Sequence, residues 1–95
     1  MERRVGSFVW NVRKEEANIL KHGVDFVTAS RVFQDPRAVV AKDAKHSVKE
    51  ERYFCIGEVG GRIITVRFTY RARCIRIYGA GFWRKGERLY ENENR

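Results

Sequence analysis

From Arg52 to Tyr78 apolar residues recur at nearly every second position, the period of a β-strand and not of a helix. "RYFCIGEV" and "RIITVRFTY" flank Gly60-Gly61, a spacer that admits positive φ, so the pattern predicts an antiparallel hairpin. "RCIRIYG" follows a second tight turn, placed at Arg71-Ala72, and completes a three-stranded meander. Upstream, Phe8 and Trp10 alternate with small or polar neighbours as a short first strand. Asn11 can cap a helix running from Val12 to Lys21, with Ile19 and Leu20 inward and Gly23 as its left-handed stop. Asp25 caps a second helix, whose Phe26, Ala29, Val32 and Phe33 share one face until Asp35-Pro36 ends it. A short strand at Ala38 to Ala41 and the polar loop "KDAKHSVKEE" lead into the meander, and the tail reads as a loop followed by a short helix from Glu87.

The fold class these elements predict is α+β: two N-terminal helices packed on one face of an antiparallel sheet, with a short C-terminal helix or tail. Residues 1–95 form one domain, because a chain of this length has surface for one modest core.

Alternation also divides the sheet's faces. Ile64, Val66, Phe68, Ile75 and Ile77 point one way, and Thr65, Arg67, Thr69, Arg71, Cys74, Arg76 and Tyr78 the other. The helices are expected on the apolar face. In the first meander strand Phe54 and Ile56 are assigned to the core, which puts Glu51 and Tyr53 on the cationic face, where Glu51 is expected to pair with an arginine or, failing that, to act as a base. Guanidinium forks, hydroxyls and an aromatic ring together suit single-stranded RNA, the charge for phosphates and the ring for a base. An ordinary solvated face, with few acids nearby, would leave the repulsion between these arginines unrelieved, which favours an anionic ligand on this face.

Charge strengthens that picture. The formal net charge is +8 and the pI about 10, which points to a polyanionic partner. The asymmetry is concentrated late in the chain: Arg62 to Arg88 holds eight Lys and Arg against the single Glu87. No stretch reads as a signal peptide or a membrane span, so a soluble cytoplasmic protein is expected. Cys55 and Cys74 lack C-x-x-C spacing and read as half-buried thiols on neighbouring strands, with no metal site and no cofactor expected.

Trp10-Asn11, Asn18, Lys21-His22-Gly23-Val24, Phe26, Asp35-Pro36, His46-Ser47, Glu50-Glu51-Arg52, Gly61-Arg62 and Arg76-Ile77 occur in an order that resembles the BrnT family of bacterial toxins. K-H-G-V followed by H-S-x-x-E-E-R at this separation is the more specific part. The resemblance implies a type II toxin–antitoxin toxin with a RelE-like fold that cuts RNA without a metal. It also implies a ribbon-helix-helix antitoxin similar to BrnA, with operator DNA reached only through that partner. One departure stands out: where the family pattern commonly has S-A-R after the last strand, this chain has Gly79-Ala80-Gly81, and Arg84 and Lys85 lie further along.

RNA cleavage of that kind needs a base for the ribose 2′-OH, cations for the phosphorane and an acid for the leaving oxygen. Arginine supplies only the cation, since its pKa lies above about 12. Arg67 and Arg76 are the candidates for transition-state charge, and Arg71, Arg73, Arg84, Lys85, Lys21 and His22 for RNA binding. For proton transfer the candidates are His46, His22, Glu50, Glu51, Tyr78 and Glu87, with His46 foremost because it sits in a polar loop and imidazole is the side-chain type suited to proton transfer at physiological pH. His22 sits beside a helix C-terminus, which favours imidazolium without any catalytic role. Trp83 could stack on a base. The competing readings are a protein of the same fold that binds RNA or antitoxin without cleaving, and a duplex-DNA reader. The latter is the weaker because no helix here is rich in groove-reading side chains.

Overall fold

The Asn11 carboxamide oxygen accepts from the N–H groups of Arg13 and Lys14, starting helix α1 (Val12–His22), and Gly23 at φ 71° closes it by donating its N–H to the carbonyl of Ile19. Asp25 caps α2 (Phe26–Ser30) through Thr28 and the chain tightens into a 3₁₀ turn over Arg31–Gln34. These starts and stops lie where the sequence put them, within a residue or two. The computed structural model describes residues 1–95.

Six strands form one sheet in the order β1-β2-β6-β5-β4-β3. They are β1 (Glu2–Val5), β2 (Phe8–Asn11), β3 (Val39–Lys42), β4 (Tyr53–Val59), β5 (Arg62–Arg71) and β6 (Cys74–Gly81). All neighbours are antiparallel except β2 and β6, which run parallel with Phe8 opposite Ile75 and Val9 opposite Arg76. The predicted meander is β4-β5-β6, and the α+β class holds. One strand was not foreseen: β1, whose four residues are all exposed and therefore carry no apolar alternation to read.

On one face α1, α2 and the 3₁₀ turn enclose a core built on Trp10, Phe26, Val32, Val66, Phe68 and Ile77, all essentially inaccessible. The opposite face is partly roofed by α3 (Arg84–Glu93), which packs on β4 and β5. This helix begins three residues before the predicted Glu87. Its outer end is tied down by Asp35, whose carboxylate accepts from the Tyr90 hydroxyl and from the N–H groups of Glu58 and Arg37. Burial opposes ionisation of Asp35, yet those donors hold its carboxyl below the ordinary range, and the same hydrogen bond pushes the Tyr90 phenol up to about 12.

Helix α1 does not turn Ile19 and Leu20 inward as expected: Leu20 is 90% exposed and Ile19 43%. Its buried side chains are Glu15 and Asn18. Leu20 lies about 200° around the helix from Asn18, on the far side. Glu15 accepts from the Trp10 indole at 2.9 Å and from the Phe26 N–H at 2.8 Å. Asn18 donates to the carbonyls of Ala80 and Val24, each at 2.9 Å, and accepts from the Ala80 N–H at 3.1 Å. Because β2 pairs with only the first part of β6, the later edge of β6 has no strand beside it. The carboxamide of Asn18 takes that strand's place, satisfying both backbone groups of Ala80.

Two smaller expectations are corrected. The β5–β6 turn lies at Ala72-Arg73, with φ 51° and 64°, one residue later than expected. The cysteines are not on neighbouring strands: Cys55 on β4 faces the core and Cys74 on β6 the opposite side, with β5 between them. Burial pushes the Cys55 thiol up to about 12. No helix is long and apolar enough to cross a membrane.

Asn18→Leu removes both partners of Ala80 and is expected to lower unfolding free energy by roughly 2–4 kcal/mol in urea titrations. Leu20→Ser on the same helix should change it by less than about 0.5 kcal/mol, the reverse of what the apolar pattern suggests.

Candidate active site

The register of the meander assigns the face opposite the core. Arg67 stands between Phe54 on β4 and Gly79 on β6, and Thr65 between Ile56 and Gly81. Phe54 and Ile56 are thus on the arginine face, and Tyr53 is on the core side, where its ring stacks on Phe68. This reverses the expected assignment of β4, whose residues are apolar on both sides because both sides are covered. The arginine face is accordingly no open platform: α3 lies over its Thr65 end and leaves a cleft of about 440 Å³ between helix, strands and the loop before β4.

That loop contains a 3₁₀ turn over Ala44–His46. Within it Asp43, only 5% exposed, lies 2.8 Å from Nδ1 of His46. Ser47 locks the turn, donating to the Asp43 carbonyl at 2.6 Å and accepting from the Arg52 N–H at 2.9 Å. With Nδ1 directed at Asp43, the imidazole's Nε2 is the nitrogen left for other chemistry. His46, Arg67, Trp83 and Lys85 all line the cleft, with Phe54, Ile56 and Leu89 as apolar walls.

The three arginines grouped by sequence have different surroundings. Arg76 makes a two-pronged ion pair with Glu2, at 2.5 and 2.8 Å, and Nη2 of Arg71 meets both oxygens of Glu50 at 3.0 Å. Acids from β1 and the loop therefore relieve the repulsion that an ordinary solvated face was expected to leave unrelieved. The Arg76 hydrogen bond holds the Glu2 carboxyl below its ordinary value, and Glu2 in turn raises Arg76. Arg67 makes no ion pair. Its Nε is buried without a hydrogen-bond partner, and its guanidinium carbon lies 5.5 Å from the Tyr78 ring and 5.7 Å from the Trp83 ring.

Tyr78 lines a second, smaller groove together with Arg52, Arg71, Arg76 and Lys14. Arg52 stacks on its ring at 4.4 Å. Burial raises the Tyr78 phenol while Arg52 and Arg67 pull it the other way, and its hydroxyl is buried without a partner.

The remaining candidates lie outside the cleft. Glu51 bonds to Lys42 at 3.0 Å and to the Tyr53 hydroxyl at 2.9 Å, and Lys42 first, then Tyr53, hold its carboxyl low. It pairs with a lysine and not with an arginine. Lys21 and His22 end α1, where the His22 ring meets that of Trp83 edge-on at 5.1 Å. Arg73 sits in the β5–β6 turn and Arg84 opens α3 on its exposed side. Asp43, which lines the cleft, and Arg52, which stacks on Tyr78, were not among the candidate site residues singled out from the sequence. The Asp-x-x-His spacing of Asp43 and His46, three apart in one turn, was the available signal for the first.

Residues 10–87 match the sequence model of a family described as ribonuclease toxin, BrnT, of type II toxin-antitoxin system. No curated protein matches the chain.

Because Glu2 titrates lower when paired, its contribution to stability is present above the ordinary carboxylate range and is lost as pH falls through its depressed folded value. NMR titration should find the Glu2 midpoint below that of an unpaired glutamate, and Arg76→Ala should return it to the ordinary range.

Proposed function

This chain belongs to the BrnT ribonuclease toxins of type II toxin–antitoxin systems, and we propose that it cleaves single-stranded RNA in the cleft between α3 and the meander, using its own side chains and no metal. The observation that carries the reading is the meeting, in one cleft, of a histidine held by a buried aspartate and the one meander-face arginine that no carboxylate neutralises.

In this mechanism Nε2 of His46 takes the proton of the ribose 2′-OH, and the freed oxygen attacks the adjacent phosphorus. Asp43 fixes the ring and favours the imidazolium as it forms. The charge that develops on the phosphorane falls to Arg67, whose fork suits two phosphate oxygens and which need not first surrender an internal partner. Lys85, on the helix side of the cleft, protonates the departing 5′-oxygen. The products are a 2′,3′-cyclic phosphate and a 5′-hydroxyl. Trp83 offers a flat surface for a base. Arg52, Arg71, Arg76 and Lys14 in the neighbouring groove guide the flanking backbone, although the hold of Glu2 on Arg76 and of Glu50 on Arg71 and Arg52 makes that contribution secondary.

A type II toxin has a cognate antitoxin as partner. We take that antitoxin to be a ribbon-helix-helix protein that silences the toxin and contacts operator DNA on its behalf, in keeping with the family resemblance. A second reading, a binder of RNA or antitoxin without cleavage, draws support from one observation. The family's S-A-R arginine falls at Gly81, where ring atoms of Trp83 lie 2.8 Å from the position a Cβ would take.

Purified protein incubated with single-stranded RNA in EDTA decides between them. Cleavage is expected, with Arg67→Ala slowing it roughly a hundredfold and His46→Ala roughly a hundredfold or more. Salt-sensitive binding without products would establish the second reading instead. Induction in a bacterial host should arrest growth, and co-expression of the antitoxin should relieve the arrest.

A further inference from the structure

Gly79 and Gly81 occupy alternate positions of β6 on the side of the sheet that carries the cleft, opposite Arg67 and Thr65. Neither has a positive φ, so backbone freedom is not what calls for glycine there. Space is. A Cβ built on Gly79 would lie 2.7 Å from Nη2 and 2.8 Å from Nε of Arg67, and one built on Gly81 would lie 2.8 Å from two ring carbons of Trp83. Each missing methyl is thus filled by a side chain of the cleft. Ala80 between them is fully buried, and both its backbone groups are clamped by Asn18. The strand pairing also slips here: Arg67 is opposite Gly79 and Phe68 opposite Ile77, which leaves Tyr78 as an extra residue that turns its ring toward Arg67.

We propose that Gly79-Ala80-Gly81 is a positioning element, two slots in a clamped strand, that sets the Arg67 guanidinium and the Trp83 ring side by side for a phosphate and its neighbouring base. The inference rests on the reading of the cleft given above and adds to it the residues that hold the cation and the ring in register. The arginine is seated by absence: its buried Nε has no hydrogen bond to fix it, so the floor of the slot and the rings on either side do so. Gly79→Ala obstructs only the far end of a flexible side chain and asks for no forbidden backbone angle, so it moves the guanidinium and leaves the sheet intact.

The test has two readouts: the ¹⁵N–¹H cross-peak of Arg67 Nε, assigned by its loss in Arg67→Lys, and the cleavage of single-stranded RNA. Gly79→Ala is expected to shift that cross-peak and to lower kcat roughly a hundredfold, the effect of displacing a reacting group by about 1 Å. Added to Arg67→Ala, it should cost no more than about twofold further, because the group it positions is already gone. Gly81→Ala should raise KM through Trp83 and shift the Arg67 cross-peak less than Gly79→Ala does, because it displaces one flanking ring and leaves the slot itself open. An unmoved cross-peak in Gly79→Ala overturns the proposal, as do losses that multiply in the double variant. Full-rate cleavage by Arg67→Ala would instead refute the role given to Arg67 in catalysis, and the slot would then stand or fall on the cross-peak alone.

Discussion

One side-chain amide ties helix α1 to the edge of the sheet. Asn18 reaches from α1 to the unpaired edge of β6 and completes Ala80 as a neighbouring strand would. A buried peptide group without such a partner costs about as much as a lost hydrogen bond, so helix and strand are coupled through a polar contact more directional than apolar packing. Glu15 does the same one turn earlier for Trp10 and Phe26. These two residues fix the depth and rotation of α1, and with it the place where His22 abuts Trp83.

From that anchor the chemistry follows by subtraction. A +8 chain could present its positive charge anywhere. Here Glu2 and Glu50 engage Arg76 and Arg71, Arg52 turns onto the Tyr78 ring, and Arg67 alone of the meander-face arginines is left with neither a carboxylate nor a hydrogen bond at Nε. Exposed ion pairs contribute little to stability. In the proposed mechanism their larger effect is on availability, because they leave Arg67 as the guanidinium that a phosphate could engage without first displacing an internal acid.

Much of the fold was legible because its signals are local. Asn11, Gly23 and Asp25 are caps whose mechanism lies within a few residues, and the double glycine marks its hairpin. The failures are equally physical. Leu20 is apolar yet exposed, and Asn18 polar yet buried, because the inner face of α1 serves a strand edge that lies sixty-two residues away in the chain. Phe54 and Tyr53 were exchanged between faces because α3 roofs the second side, making a strand that is apolar on both faces and leaving alternation nothing to distinguish. The Ala72-Arg73 turn carries neither Gly nor Asn, so nothing in its composition marked where φ becomes positive. In the site, the arginines and His46 were visible as residue types, but the carboxylates that neutralise some of them come from β1 and a loop, distant in sequence.

The outer strand β1 has a consequence for how the protein behaves in company. A sheet that ends in an exposed strand offers its unpaired backbone to any other extended chain, and identical copies are the most abundant candidates in a concentrated solution. Here that border carries Arg3 and Arg4 in succession, both solvent-facing. A second copy laid against it would bring guanidinium against guanidinium, so the border discourages stacking of the protein upon itself into fibrils.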